Sequence, residues 1–256
     1  MYESEDAVLH SFDENFIPEE QLQAQWAEMI ELKKLIHALF QIKQRPLHIL
    51  DIGVGTARVP KHLSGLPEIW DCIASYDGID NAESCLQLSI KTVLEYQLEN
   101  KVQIIQLEAT QLSKLNKKYD LIITTWFTGG NFFNPRFPFQ DYKNHAPIDL
   151  SFNPDFDIVF TQAYNMTMDG GYIVLGALYK DNDGTRIKQE NFYKKIGMDI
   201  ITAPEETFTA TKQGFWSQRF TVEKLKRYFH FAQPSNIHCI DLDTYQYAMQ
   251  VQVKKQ

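Results

Sequence analysis

The sequence runs to 256 residues, 44% of them apolar and 23% charged, which are globular proportions and argue against a disordered or low-complexity chain. That length fills one domain, or at most two small ones. With 25 basic against 33 acidic residues the formal charge is −8, which disfavours general nucleic-acid binding because such binding needs a basic surface to displace counterions.

The first residues, MYESEDAVLHSFDENF, are acidic and unlike a basic-then-apolar leader. Pro18 is placed for a first helical turn, and EEQLQAQWAEMIELKKLIHALF follows. Its apolar side chains at Leu22, Trp26, Met29, Ile30, Leu32, Leu35, Ile36, Leu39 and Phe40 keep helical spacing. Residues 1–44 are therefore expected to form a helical cap on a larger body covering 45–256.

From residue 47 short apolar runs alternate with helical stretches. LHILDIG precedes VPKHLSGL, YDGID precedes AESCLQLSIKTVLEYQ, and VQIIQLEA, YDLIITTWF and GGYIVLGALY follow. Such runs fit parallel strands covered on both faces, and the alternation predicts a doubly wound α/β sheet with right-handed crossovers. The last two strands, in IHCIDLD and TYQYAMQVQVKK, are too close in sequence for a parallel crossover and must form an antiparallel hairpin. The expectation is a mostly parallel, seven-stranded sheet ending in that hairpin. Two stretches without regular period, near 128–157 and 203–219, are expected to be lid insertions. No apolar run approaches the roughly 18 residues of a membrane helix, so no membrane partner and a cytoplasmic location are expected. Cys72, Cys85 and Cys239 lie far apart and read as reduced thiols, and no His, Cys, Asp or Glu grouping has metal-ligand spacing.

The strongest motif is Leu47-His48-Ile49-Leu50-Asp51-Ile52-Gly53-Val54-Gly55-Thr56-Ala57-Arg58. A buried strand ends beside an acidic residue and opens into a turn whose glycines let the backbone bend and approach a ligand. The dinucleotide fingerprint needs glycine at position 58, where Arg58 stands. A carboxylate at Asp51 would also repel a pyrophosphate while suiting an ammonium or sulfonium. Asp80, ending the second strand, is placed to accept ribose hydroxyls, and Glu108 with Ala109, ending the third, to meet an adenine amine.

These motifs, with LEATQL, YDLIITTWF, GGYIVLGAL and the terminal hairpin, make the chain from about residue 45 onward resemble class I S-adenosylmethionine-dependent methyltransferases. The resemblance implies a Rossmann-like methyltransferase fold and S-adenosylmethionine as cofactor. Asp51, Gly53 and Gly55 would then serve the methionine part, Asp80 the ribose, and Glu108 and Ala109 the adenine, with Asn81 a further cofactor-binding residue. Thr125 and Trp126 would wall the reaction pocket. The family has no invariant catalytic residue. His145 and Tyr142, in the aromatic-rich QDYKNHAP, are the candidates for a base or orienting group, with Asp141 and Asp149 as possible amine-binding acids. Phe132, Phe133, Phe137, Phe139 and Trp216 fit either a lid over an organic acceptor or a satellite core. The expected partner is a small-molecule acceptor, with aromatic faces near carboxylates favouring an amine. Two other readings stay open: a non-catalytic binder of the same cofactor, and an aminopropyl transferase.

Overall fold

The computed structural model describes residues 17–139, 149–244 and 246–256. Five parallel strands, β1 (Leu47–Ile52), β2 (Ile73–Asp80), β3 (Val102–Gln106), β4 (Tyr119–Thr124) and β5 (Thr167–Tyr179), carry the apolar runs. β6 (Phe208–Ala210) and β7 (Trp216–Gln218) form a hairpin of their own. β8 (Ile237–Asp241) and β9 (Ala248–Lys254) pair antiparallel, and β9 also runs antiparallel to β5. The main sheet thus has the order β3-β2-β1-β4-β5-β9-β8, the seven-stranded, mostly parallel architecture expected.

Helices cover both faces, and the period of two along each strand decides which side chain meets which helix. On β1, Ile49 faces a cluster with Leu32, Ile36 and Leu39 of α1 (Glu19–Lys43), Leu63 of α2 (Arg58–Ser64) and Ile69 of α3 (Pro67–Trp70). Val93 of α4 (Glu83–Glu95) joins the same cluster. Its neighbour Leu50 faces the other layer, with Phe156 and Phe160 of α5 (Pro154–Met166). α6 (Asp183–Lys195) follows β5, and α7 (Val222–Tyr228) brings Leu225 to the second layer. Among the described residues no helix is long and apolar enough to cross a membrane.

Three expectations change in detail. The buried stripe of α1 is Gln21, Ala24, Gln25, Glu28, Met29, Leu32, Ile36 and Leu39, whereas Trp26 and Ile30, counted among its apolar positions, are exposed. The stretch near 128–157 ends earlier, because Asn153 caps α5 by accepting the N–H groups of Asp155 (3.1 Å) and Phe156 (3.3 Å). The stretch near 203–219 is not irregular: it holds the β6–β7 hairpin. One face of that hairpin, Phe208, Ala210 and Trp216, packs on Phe137. From the other face, Thr209 and Ser217 reach Gln189 of α6. Arg219, 1% exposed, locks this arrangement by donating to Gln189 Oε1 (2.7 Å), Thr209 Oγ1 (2.8 Å) and the carbonyls of Glu206 and Phe208.

Candidate functional site

Open α/β sheets place their ligand crevice at the C-terminal strand ends, where the strand order reverses. Here the reversal lies between β1 and β4, and a cleft of about 440 Å³ opens there. Its volume lies within the roughly 300–1,000 Å³ of small-ligand pockets. The glycine turn after β1 forms one wall. Gly53 has φ +76° and Gly55 φ +59°, and a Cβ on Gly53 would sit 2.5 Å from the Thr128 methyl group. Only glycine fits that position, so the narrow bend and its close approach to the residues after β4 are built into the sequence.

Asp80 ties this turn to the end of β2. Its carboxylate accepts the N–H of Gly55 and the N–H of Ala82, each at 3.0 Å, leaving lone pairs directed to the cleft it lines. Burial pushes its carboxyl upward, and the two N–H groups pull it back. Beyond it lie Asn81, Glu108 and Ala109. The Asn81 amide donates to Glu108 Oε1 at 2.8 Å, so the two chain segments that would flank a nucleoside are coupled to each other. Thr125 and Trp126 close the fourth side.

Of the residues expected to hold a cofactor, Gly53, Gly55, Asp80, Asn81, Glu108, Ala109, Thr125 and Trp126 all line this one cleft. Asp51 does not. Strand alternation points it, like Ile49, toward α1, and it lies 1% exposed beneath the turn, where Tyr76 donates to its Oδ2 at 2.6 Å. The expectation that it faces the crevice directly is therefore corrected. Tyr142, His145 and Asp141 lie outside the described residues. Asp149 is exposed and occupied by the Ser151 N–H at 2.9 Å, away from the cleft lining.

Several lining residues were not singled out as site residues by the sequence. Asp155, at the start of α5, stands near Glu108, and burial together with that neighbour raises its carboxyl. Asn131, Gly214 and Phe215 come from aperiodic segments with no local signal. Trp216 reconciles both readings of the aromatic residues: it packs in the satellite core with Phe137 and Phe208 and also faces the cleft.

Under the wall formed by Trp126 lies a buried polar cluster. Glu28, 0% exposed, accepts the Trp126 N–H at 3.2 Å and 3.3 Å through its two oxygens. Arg58 lies over the Trp126 ring and faces the cleft, within electrostatic reach of Glu28 and Asp51. Burial pushes both carboxyls up to about 7, and Arg58 offsets part of that rise. Trp126 and Phe127 have φ of +52° and +63°, a left-handed pair without glycine, which carries a strain of about 1–3 kcal/mol per residue. The Glu28 bond and stacking of Phe127 on Tyr179 (centroids 3.9 Å apart) hold it in place.

No protein-family model matches the sequence, and no curated protein does. Solved structures do match in fold. A S-adenosylmethionine-dependent methyltransferase from Clostridium acetobutylicum aligns at TM-score 0.56 and 11% identity, over 90% of this chain and 91% of its own. The chain has the class I methyltransferase fold. An amino pentose methyltransferase of calicheamicin biosynthesis from Micromonospora echinaspora, solved with S-adenosylmethionine bound, shares this methyltransferase fold. It aligns at TM-score 0.53 and 12% identity, over 89% of this chain and 90% of its own. The CcbJ methyltransferase from Streptomyces caelestis gives TM-score 0.53 and 13% identity, over 86% and 89%.

Proposed function

We propose that the cleft binds S-adenosylmethionine and that the protein transfers its methyl group to a small organic acceptor, an amine or a hydroxyl. One observation carries the reading: a single cleft meets, in order, a glycine bend, the Asp80 carboxylate, the Glu108–Ala109 pair and the Trp126 wall. That succession suits a ligand with an amino-acid end, a ribose and a purine. The glycine bend packs against Thr128 where any Cβ would collide, which keeps its backbone at the cleft wall, Asp80 presents acceptor lone pairs to a diol, and Glu108 and Asp155 present acceptors to an exocyclic amine.

The sulfonium supplies an activated methyl group, so the protein's task is alignment and exclusion of water. Trp126, Phe132, Phe133, Phe215 and Trp216 line the acceptor's approach with apolar surface. Where the acceptor keeps a proton, His145 or Tyr142 is proposed as the base or orienting group. The net charge of −8 favours a small acceptor over RNA or DNA. A cytoplasmic location belongs to the same proposal.

Titration calorimetry with S-adenosylmethionine and S-adenosylhomocysteine tests the binding. The wild type is expected to bind both, and Asp80→Ala to lose at least about tenfold in affinity, the cost of roughly one charge-assisted hydrogen bond. Incubation with methyl-labelled donor and a small-molecule extract, followed by the mass of the labelled product, then names the acceptor. Absence of affinity for either ligand refutes the proposal; binding without any labelled product leaves the non-catalytic binder.

A further inference from the structure

Glu28 is a carboxylate placed where a helix facing a sheet normally buries an apolar side chain. A Cβ on Gly176 of β5 would come within 2.1 Å of its Oε1, so the strand has a glycine-sized gap into which this carboxylate fits. The groups around it come from five elements. α2 contributes Arg58 and β1 contributes Asp51, itself flanked by Tyr76 and Asp80. The segment after β4 contributes the Trp126 N–H, and β5 contributes the backbone of Ala177. β9 adds only the neutral Gln250 amide, which donates to the Glu28 carbonyl at 3.4 Å. Among the described residues, two buried carboxylates therefore share one guanidinium, and Asp51 Oδ1 has no hydrogen-bond partner at all.

We infer that Glu28 is a positioning residue that holds the Trp126 wall and, with Asp51, outnumbers Arg58, so that the cleft favours a cationic sulfonium donor over its neutral demethylated product. This rests on the proposed binding of S-adenosylmethionine. In methyl transfer the acceptor's lone pair forms the new bond to carbon while the carbon–sulfur bond breaks and leaves its electron pair on sulfur. The cofactor thereby loses one positive charge, which passes to the acceptor atom or leaves with its proton. A floor carrying excess negative charge binds the substrate form more tightly than the product form, and the turnover step itself removes the attraction. Glu28 and Asp51 add to that excess only as they ionise, so the preference grows with pH.

The test compares the dissociation constants of S-adenosylmethionine and S-adenosylhomocysteine by calorimetry between pH 5.5 and 7.5, for the wild type and Glu28→Gln. Glutamine keeps an oxygen for the Trp126 N–H and removes the charge, and the ligands' own ionisation is common to both proteins. In the wild type the ratio of product to donor dissociation constants is expected to rise about tenfold across this range, the equivalent of one pKa unit of coupling. In Glu28→Gln it should be lower at pH 7.5 and rise less steeply, because only Asp51 still ionises across the range. A wild-type ratio independent of pH, or an unchanged ratio in the folded variant, overturns the inference while leaving cofactor binding intact. If the wild type binds neither ligand, the proposed function falls and this inference with it. Should Glu28→Gln not fold, Asp51→Asn removes the other charge, and an unchanged profile there overturns the inference equally.

Discussion

Gly176→Ala would test how firmly the N-terminal helix is built into the site. The added methyl would lie 2.1 Å from Glu28 Oε1, 2.7 Å from Glu28 Cδ and 2.7 Å from the Thr124 carbonyl oxygen. The last contact is backbone in the centre of the sheet and yields little. Overpacking of this kind costs about 1–3 kcal/mol. Expelling the carboxylate leaves the Trp126 N–H without its acceptor, which costs about 1–3 kcal/mol more. For a domain of this size each kcal/mol lowers the thermal midpoint by roughly 2–4 °C, so a fall of roughly 5–20 °C is expected. Differential scanning calorimetry measures it directly. Adding Glu28→Ala to Gly176→Ala should recover only the steric clash with the carboxylate, because the Thr124 contact remains and the Glu28 acceptor of the Trp126 N–H is still absent. A midpoint for Gly176→Ala within about 1 °C of wild type would show that α1 is not seated as described.

Two further perturbations probe the buried polar groups. The Asp51 carboxyl is pushed up to about 7 by burial, so between its unfolded value and about 7 the native state holds the extra proton, and stability falls as pH rises through that window. The thermal midpoint of ligand-free protein should therefore decline from pH 5.5 to 8, and Asp51→Asn should flatten that decline; an unchanged slope in the variant would contradict the assignment. Arg219→Met removes the donors to Gln189 Oε1, Thr209 Oγ1 and the Phe208 and Glu206 carbonyls, and the ion-pair partner 3.5 Å from the half-buried Asp181 carboxylate, a loss of about 1–3 kcal/mol by the usual cost of leaving buried acceptors short of donors. Hydrogen exchange should show amides of 206–218 losing protection before the central sheet, and equal protection in both proteins would refute this.

The strands were legible because burial on both faces leaves continuous apolar runs, and the hairpin because chain length forbids a parallel return. Gly53 and Gly55 were legible for a related reason: few residue types tolerate that bend. Asp51 was misplaced because its position in the motif suggests the crevice, whereas strand alternation sends it toward α1. Glu28 went unnoticed although it shares the stripe of Ala24 and Leu32. An apolar-only reading of the helix selected Trp26 and Ile30 instead, and both face solvent. Asn131, Asp155 and Phe215 reach the cleft through segments whose course is set by tertiary packing, so no local pattern announces them. Helix α5 was absorbed into the preceding loop because its Pro154 and Asn153, which cap it, also read as turn residues.

The position of β9 decides when two sheet edges can be covered. It follows both of its sheet neighbours in sequence, so the open edge of β5 and the whole of β8 wait for residues 248–254 before either can be paired. A bare edge strand is a template for pairing with other chains. A chain in which residues 248–254 are not in place would carry a ready seed for association, and β9 covers that edge.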